Sequence, residues 1–557
     1  MAAIRDSVFG PMIPKLDQEQ LPDKLSQFAQ NLKHTSGALE AWRLPAAVAG
    51  VTMPGAAPIK TIYRYGKDTA SKVNYWFQFP GDVNIIKGAI SVDAEERTYW
   101  TDGAYPKKTR ASLAGLVAGT AILPTSLRLG VPPPGWTGPT SALSFTPVAT
   151  VSGTATDPAS TPLTSTYVVT YVSTWDEESS PSNPSNIVIW RVGQTVTLTL
   201  PGAIAGAYSI DRVRLYRSNT GSSRTTFQRV TDKPVASTSH ADTALGTALG
   251  EGCPSFDWNP PSDGMIGLTD MGNGMLAAFE KNTVRFCEPF HQYAWPAKYD
   301  LPLNAPIVGM AHFDQTLIVG TTDGLVLIVG TDPGSMSQDT PKGAQACTSK
   351  RSMVEMMGGV VYASPDGLQF VGSSGPVNLT QSLLSRDDWQ AFVPSSIDGY
   401  SIDGRYYAFY DTGSTQACLI FTFGPDGGMV KCDQYITAGY TEDRTDSLFV
   451  VNRASTVNTL MEWNTGSNML AVWRRGEVRF HSGVCMSRAS VKAAGYPLVY
   501  KLFADGALKY TVTVFNGLPF VLPDGRNSTI SHQVESIYKV TAVRTATSVK
   551  ELGDGNV

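Results

Sequence analysis

The sequence has few charged residues. Aspartate, glutamate, lysine and arginine make up 17% of its 557 residues, against about 25% in an average soluble protein. Two interpretations stay open: much of the surface is covered in an assembly, or this is the ordinary composition of an all-β protein. The net charge of -4 argues against a general nucleic-acid binder, which needs excess cations to displace counterions from phosphates. It does not exclude a channel through which DNA slides without sticking.

No pattern of cysteines or histidines indicates a disulfide framework or a metal site. The cysteines form no CxxC pair, and we expect reduced, partly buried thiols. The histidines are dispersed, and the nearest approach to ligand spacing is His481 with Cys485. Two ligands do not define a zinc site, so we predict neither a metal nor a cofactor. The six cysteines are Cys253, Cys287, Cys347, Cys418, Cys432 and Cys485.

Familiar enzyme motifs are also missing. The sequence contains no GxSxG elbow, Walker loop, HExxH or GxGxxG fingerprint, and GSSGP at 372–376 is typical of a turn. The acidic pairs Glu177-Glu178 and Asp387-Asp388 are interpreted as solvated loop acids, because a glycosidase needs two carboxylates held across a sugar. We therefore predict that the protein is not an enzyme and has no catalytic residues.

Two basic spots stand out, Lys107-Lys108 with Arg110, and Arg474-Arg475. Neither has the interleaved aromatic residues of a single-strand binding groove. We interpret them as subunit contacts or solvated faces.

No apolar run is long enough to cross a membrane. The most apolar stretch, residues 111–127, is interrupted by Pro124 and several hydroxyl residues. Residues 1–10 carry Asp6 and no apolar segment, so we predict no signal peptide and a soluble protein.

One segment has helical periodicity. Leu21, Leu25, Phe28 and Leu32 fall on one face at helical spacing, Pro22 suits a first turn, and Gly37 suits the residue after the end. The pattern predicts a short N-terminal helix.

The rest of the chain has the pattern of strands and turns. The 52 glycines and 36 prolines favour a turn-rich β architecture, and the length suggests about three or four domains. YWFQFP and RTYWTDG indicate strands near the start, and the Pro- and Gly-rich residues 129–150 indicate a linker. We place the first domain at 1–145, with the helix and strands that contribute to a propeller-like core.

Residues 146–258 are predicted to form a β-sandwich. In TSTYVVTYVSTW, Tyr167, Val169 and Tyr171 alternate with smaller residues, which predicts one buried face per strand. TVTLTLP and SIDRVRLYRS add two more short strands, and this spacing is typical of a sandwich. The stretch resembles a fibronectin type III-like domain.

Residues 259–557 are predicted to form a propeller-like β-domain with a C-terminal β-region. TLIVGTTDGLVLIVG predicts two buried strands joined at Asp323-Gly324, and VVYASPDGLQFV predicts two more joined at Asp366-Gly367. Further turns are predicted at Gly358-Gly359, Asp403-Gly404 and Asp426-Gly427. Units of about 40 residues are compatible with propeller blades, although no strict repeat is visible.

Three segments resemble the tail nozzle proteins of podoviruses, the tail tubular protein B type. The first is FGPMIPKLDQEQLPDKLSQFAQNLKHTSGALEAWRLP near the start, and the second is CEPFHQYAWPAKYDLPL at 287–303. The third is ACTSKRSMVEMMGGVVYASPDGLQFVG at 346–372, followed by LTQSLLSRDDWQAFVP and DGRYYAFYD. Its Ser349, Lys350 and Arg351 are predicted to form a polar, cationic start to a strand. DGALKYTVTV and PFVLPDG also resemble the closing β-region of these proteins.

The resemblance implies a structural subunit of a phage virion, made in the bacterial host cytoplasm. Six copies would form a ring below the tail adaptor and portal, with tail fibres or spikes as further partners. Genomic DNA would pass through the ring during ejection. The sandwich is an apparent insertion whose role the resemblance leaves open. The alternative is a receptor-binding tail fibre or spike component, which the fibronectin-like stretch supports. A capsule depolymerase is a third, less favoured reading.

Overall fold

The computed structural model describes most of the chain and shows that it is mainly β. The described residues are 3–34, 36–66, 75–90, 93–137, 143–204, 206–220, 225–373, 375–424, 427–442, 444–454 and 457–553. The predicted turn residue Asp426 lies outside them.

Seven small sheets of three or four strands, as far as the described residues extend, make up the largest part of the fold. We call them ring sheets 1 to 7. The first four consist of the following strands: Thr61–Arg64, Trp76–Phe79 and Ala121–Ile122; Asn84–Lys87, Thr98–Thr101, Lys107–Thr109 and Leu127–Arg128; Ile266–Asp270, Leu276–Glu280, Thr283–Phe286 and Leu301–Pro302; Ile307–Phe313, Thr316–Thr321, Leu325–Val329 and Ser337–Asp339. The last three are Val354–Met356, Gly359–Ser364, Gly367–Gly372 and Gly375–Asn378; Asp398–Ile402, Arg405–Asp411, Gln416–Thr422 and Gly428–Cys432; Ala438–Glu442, Ser447–Ala454, Val457–Glu462 and Ala46–Ala47.

The ring sheets contact one another in cyclic order. From ring sheet 2 to ring sheet 7, the first strand of each sheet packs on the first strand of the next sheet. The first strand of ring sheet 7 packs in turn on the first strand of ring sheet 1. Ring sheets 1 and 2 share a core in which the Phe79 and Trp100 ring centroids lie 5.8 Å apart. The N-terminal strand Ala46–Ala47 completes ring sheet 7 by pairing with Val457–Glu462, so distant parts of the chain join to close the cycle.

Tight turns set the hairpins within these sheets. Strands Gly359–Ser364 and Gly367–Gly372 pair across the Pro365-Asp366 turn. Gly367 has a φ of +148°, and a Cβ there would lie 2.1 Å from Thr380 Oγ1, so only glycine fits. The predicted hairpin joined at Asp323-Gly324 is likewise confirmed, with strands Thr316–Thr321 and Leu325–Val329.

Strands between residues 149 and 242 form a separate group, which we call the inserted unit. In the described part of the chain these strands pair only with one another. Its three sheets enclose their own apolar core, which includes Tyr167, Trp190 and Leu215. The strands are Ala149–Ser152, Thr195–Thr199 and Ser239–Asp242; Leu163–Ser165 and Val188–Trp190; Tyr167–Ser173, Ile210–Thr220 and Thr225–Pro234.

Strand Tyr167–Ser173 corrects one expectation. The sequence pattern predicted one buried face, but all seven residues are buried. One side faces the apolar core, while Thr170 on the other side donates to the buried Glu178 at 2.8 Å. The segment that follows the strand therefore covers its second face.

Both ends of the chain meet in a third group, the terminal β unit. Its strands extend ring sheet 6 into a ten-stranded sheet through Ser26–Gln30, Ala471–Arg475, Asn527–Ser536, Leu498–Ala504, Ala507–Val514 and Val478–Val484. Its second sheet contains Ala3–Asp6, Val540–Ala546, Arg488–Ala493 and Phe520–Val521. Leu32–Lys33 and Glu40–Ala41 form a small hairpin beside them. A shared apolar core that includes Trp473, Tyr500 and Val543 packs the two sheets together.

The predicted N-terminal helix is wrong. Residues Ser26–Gln30 form a strand that pairs with Ala471–Arg475 and, at Gln30, with Lys431. A short isolated helix is marginally stable, and hydrogen bonding to strands far away in the sequence outweighs the local periodicity. The helices that the described residues do contain are Arg386–Gln390 and Val549–Leu552, with 3-10 turns at Gly246–Ala248, Ala297–Tyr299, Lys350–Ser352 and Pro394–Ser396.

Candidate functional site at the centre of the ring sheets

A polar cavity of about 460 Å³ lies where several first strands of the ring sheets begin. Residues from ring sheets 1, 2, 5, 6 and 7, or from the turns before them, contribute to its wall. Because the first strands surround a common centre, their starts bring residues distant in sequence together. The charged and aromatic residues of the wall are Lys60, Asp82, Lys350, Arg351, Asp398 and Tyr435.

Lys350 and Arg351 bridge the centre of the cycle of sheets. Both precede ring sheet 5, and both bind Asp82, which precedes ring sheet 2. Arg351 Nη2 and Nε lie 2.7 and 3.0 Å from Asp82 Oδ1, and Lys350 Nζ lies 3.1 Å from Asp82 Oδ2. Arg351 Nη2 also donates to Thr61 Oγ1 of ring sheet 1 at 2.7 Å. These contacts connect opposite sides of the ring.

The bridge determines the ionisation of Asp82. Partial burial disfavours the carboxylate, but the charges of Arg351 and then Lys350 outweigh it and lower the pKa of Asp82 below its usual value. Both carboxylate oxygens accept hydrogen bonds from these two cations. Asp82 is therefore a structural anion at neutral pH.

Asp398 has the opposite environment. Burial raises the pKa of its carboxyl to about 6, the charge of Arg351 lowers it only in part, and Asp82 adds repulsion. In the described part of the chain, no group forms a hydrogen bond or close ion pair with this side chain. Asp398 is half-buried, and its carboxylate faces the cavity.

Asp398 and Asp82 therefore have pKa values displaced in opposite directions, a feature of acid–base pairs in enzymes. However, Asp82 is fully engaged by Lys350 and Arg351, so it does not present a free carboxylate. The arrangement suits the binding of a polar ligand better than proton transfer. Among the described residues, no three histidine, cysteine or acidic side chains cluster as metal ligands.

The residues singled out from the sequence lie mostly elsewhere. Of these, the structure brings only the cationic segment at Ser349, Lys350 and Arg351 to the cavity, where Lys350–Ser352 form a 3-10 turn before the strand. Neither local periodicity nor a motif marks Asp398 or Asp82, because the topology alone brings them together. Their sequence signal is only a polar residue at or just before a first strand.

The expected solvation of Glu177 and Glu178 is wrong. Glu177 forms a buried ion pair with Lys108. Glu178 accepts hydrogen bonds from Tyr216 at 2.7 Å and from Arg214 at 2.8 Å. The two acids turn inward because the inserted unit and ring sheet 2 offer them cations and hydroxyls that lie far away in the sequence.

In the two basic spots, the structure corrects the interpretation for Lys108 and Arg475. Burial lowers the pKa of Lys108, whose partner is Glu177, so Lys108 belongs to an internal contact and not to a solvated or intersubunit face. Arg475 is buried and bonds Asp6 at 3.0 Å. Arg474 lies over the Phe503 ring at 3.6 Å.

The remaining candidates lie on the surface. Asp387 and Asp388 are exposed in the first turn of helix Arg386–Gln390, as expected of solvated acids. Ser385 caps this helix, and its hydroxyl accepts a hydrogen bond from the Asp388 backbone N–H. GSSGP falls at the turn between strands that end at Gly372 and begin at Gly375, although Ser374 lies outside the described residues. His481 is exposed, and all six cysteines are free thiols.

No helix in the described part of the chain has the length and apolar character needed to span a bilayer.

Comparisons with known proteins do not identify a family. No family model matches the sequence, and no curated protein matches it. Among solved structures, the chain has a weak similarity to a glycoside hydrolase family 43 arabinoxylan arabinofuranohydrolase from Bacillus subtilis, in complex with cellotetraose. It is 11% identical, the match covers 64% of this chain and 94% of that one, and the TM-score is 0.19. A TM-score this low carries no argument about fold or activity.

Proposed function

We propose that this chain is a structural, non-enzymatic subunit of a bacteriophage short-tail nozzle. Six copies form a ring below the tail adaptor and portal, and genomic DNA passes through the assembled ring into the host. The three sequence segments that resemble podovirus nozzle proteins support a tail nozzle as the assembly to which the chain belongs. The fold and the exposed apolar surface support the formation of an oligomer.

The fold that we propose is a β-propeller-like core with an inserted fibronectin type III-like sandwich. The cyclic contacts of the ring sheets support blades, as does the antiparallel four-stranded pattern of ring sheets 2 to 7. The separate core of the inserted unit supports a sandwich.

Two exposed apolar patches on different parts of the molecule carry the proposal. On the inserted unit, Ile187 and Ile189 are 70% and 63% exposed, on the same side of strand Val188–Trp190. On the terminal β unit, Phe515 is 72% and Leu518 is 68% exposed in the loop before Phe520–Val521. Exposed apolar clusters mark interaction sites, and two unlike patches suit the head-to-tail contacts of a closed ring.

The bridge between Arg351 and Asp82 bears on the path of DNA. Because it crosses the centre of the ring sheets, the axis within one subunit is obstructed. We infer that DNA passes between subunits, along the axis of the oligomer.

The proposed location is the phage tail, after synthesis in the host cytoplasm. The alternative, a receptor-binding fibre or spike component, draws support from the inserted unit, whose apolar patch would then meet the host surface. A binding assay of the full chain on host cells, compared with an Ile187→Ser variant, separates this alternative from a purely internal role.

Mass photometry of the purified chain tests the proposal. A subunit has a mass of 59.7 kDa, and we expect a species of six times that mass whose population rises with concentration. Isolated subunits can remain monomeric until the tail adaptor templates the ring. The same measurement is therefore repeated in the presence of the tail adaptor. A monomer under both conditions would contradict the proposal.

A further inference from the structure

Charge is distributed unevenly along this chain. Residues 471–553, which supply most strands of the terminal β unit, contain eleven Lys and Arg against five Asp and Glu, although the net charge of the whole chain is -4. Residues 299–341, which contain ring sheet 4, hold five Asp and no Lys or Arg. Such asymmetry within one chain indicates that charged surfaces meet charged partners.

Four cations share the outer face of the second sheet of the terminal β unit. Arg5 pairs in register with Arg544 on the neighbouring strand. The residue opposite Arg544 on the next strand lies midway between Arg488 and Lys492, so all four side chains point to the same side. The one acid in these three strands is Asp6, which is buried on the opposite side. We call Arg5, Arg488, Lys492 and Arg544 the basic face.

The basic face keeps its positive charge within the subunit. Arg5 Nη2 donates to the Glu551 carbonyl oxygen at 2.8 Å, and Arg544 Nη1 donates to the Leu552 carbonyl oxygen at 2.9 Å. These partners are backbone groups and carry no full negative charge. Lys492 is exposed, and no acid in the described part of the chain pairs with it. Like charges opposite one another on adjacent strands destabilise a sheet, so a negative partner would be favourable here.

The acids of ring sheet 4 lie at one end of the sheet and along its outer strand. Because the strands alternate in direction, the turns that contain Asp314 and Asp332 lie at the same end. Asp339 belongs to the outer strand Ser337–Asp339, whose residues are all exposed. Asp314 and Asp332 are exposed as well, and within the described ranges no cation pairs with any of the three. We call Asp314, Asp332 and Asp339 the acidic face.

Exposed apolar residues adjoin both faces. Val521 is exposed, pairs with Arg488 at the edge of the second sheet and continues the patch that contains Leu518. Val329 is exposed beside the acidic face, where it pairs with Ser337. A protein interface combines apolar contacts with a charged rim, whereas a DNA backbone presents phosphates and sugars. The surroundings of the two faces therefore favour a protein partner.

We propose that the basic face of one copy docks on the acidic face of a second copy of this chain. This inference rests on the proposed ring and names one contact between its subunits. Two basic faces would repel one another, so the contact joins unlike surfaces head to tail, as a closed ring requires.

Sedimentation velocity of the full chain, alone and with the tail adaptor, tests the proposal at about 50 mM and about 500 mM salt, because salt screens exposed charges. The variants are Lys492→Glu, Asp339→Lys and the two combined. Asp387→Lys reverses an exposed acid of helix Arg386–Gln390 and is the matched control. Thermal melting checks that each variant is folded, and a short duplex DNA is a second probe for the basic face.

We expect the concentration of half-maximal assembly to rise about tenfold from the lower to the higher salt. At low salt, each single reversal should raise it about tenfold, and the control should leave it unchanged. The combined variant should lose less than the two single losses together, because the two introduced charges attract one another.

Assembly that responds neither to salt nor to the reversals would overturn the proposal and leave the proposed ring standing. Additive losses in the combined variant would also overturn it. The same holds if Lys492→Glu loses binding to duplex DNA but assembles normally, since the basic face would then serve nucleic acid. Open chains of subunits with the expected coupling would support the contact and contradict the ring. A monomer under every condition would contradict both.

Discussion

At the scale of single residues, the buried charges are the features that the sequence conceals best. Asp6, near the start of the chain, accepts hydrogen bonds from Arg475 Nη1 at 3.0 and 3.1 Å. His532 Nε2 lies 2.8 Å from Asp6 Oδ2, and burial lowers the pKa of His532, so it stays neutral near pH 7. This cluster anchors strand Ala3–Asp6 in the terminal β unit.

We expect Asp6→Asn to lower the free energy of unfolding by about 3 kcal/mol or more, because it removes the buried counter-ion of Arg475 and leaves this buried charge only the exposed Asp23. Chemical denaturation measures this effect. Asp23→Asn is the matched control, since Asp23 also binds Arg475 but its side chain is 90% exposed. The control should change stability by less than about 1 kcal/mol. Equal effects of the two substitutions would contradict the structural role of Asp6.

The raised pKa of Asp398 predicts a pH-dependent stability. The folded carboxyl has a pKa of about 6, above the ordinary aspartate value of 3.8, so the folded state holds the proton over a pH range where the unfolded state has lost it. Stability attributable to this group therefore falls as pH rises through that range and levels off above pH 6. Asp398→Asn removes the effect.

We accordingly expect Asp398→Asn to be more stable than wild type at pH 8, by up to about 3 kcal/mol, and the difference to shrink towards pH 5. Denaturation curves at the two pH values measure it. A stability difference that does not depend on pH would show that Asp398 already has a partner when ionised.

Little of the candidate site could be predicted from the sequence. Glu177 and Glu178 were expected to be solvated because they are adjacent in a turn-rich segment. Their cationic partners, Lys108 and Arg214, lie outside that segment, so the local sequence does not reveal them. Asp82 and Asp398 lie more than three hundred residues apart, and only the cycle of sheets brings them to one cavity. Lys350 and Arg351 were predicted to form a cationic start to a strand. Their partner Asp82 could not be predicted, because it lies more than 260 residues away in the sequence.

At the scale of elements, hairpins follow from local sequence and the N-terminal segment does not. Strands Thr316–Thr321 and Leu325–Val329 and the short turn between them, which contains Asp323-Gly324, lie within fifteen residues. Every residue that forms the hairpin is therefore close in sequence, and the local pattern is enough to predict it. Ser26–Gln30 pairs with strands that lie more than four hundred residues away. Its periodic leucines therefore predicted a helix that long-range pairing overrides.

Strand Gly359–Ser364 gives an element-scale prediction. All six residues are buried, and Val361 is 0% exposed in the shared core. Val361→Asp should lower the free energy of unfolding by several kcal/mol, or prevent folding, because it places an unpaired carboxylate in a packed interior. Thermal melting compares it with Val377→Asp, a matched change in the same ring sheet where the side chain is 50% exposed. A wild-type melting temperature for Val361→Asp would show that this strand is not core.

At the scale of the whole molecule, the mainly β class follows from composition and turn chemistry. The sequence also predicted units of about 40 residues, a length compatible with propeller blades, although it shows no strict repeat. It did not indicate that the strand Ala46–Ala47 completes ring sheet 7, or that both termini share one unit. Such closures depend on pairing between distant segments, for which a single sequence carries no signal.

The exposed terminal patch gives a prediction about assembly. Leu518→Asp should reduce formation of the oligomer at least tenfold while leaving the melting temperature of the subunit unchanged, because Leu518 is 68% exposed and contributes little to the subunit core. Leu123→Asp is the control, since Leu123 is 65% exposed, directly follows strand Ala121–Ile122 of ring sheet 1 and belongs to neither patch. Mass photometry at several concentrations compares the three proteins. Loss of assembly in the control alone would place the interface elsewhere.

The most direct measurement is electron microscopy of the purified chain together with the tail adaptor. If the chain is a nozzle subunit, class averages will show six copies around one open channel, with the bridged centre of each subunit's ring sheets displaced from that channel. Particles in which the chain stays a single copy, or in which the only axial opening runs through the ring sheets of one subunit, would contradict the account.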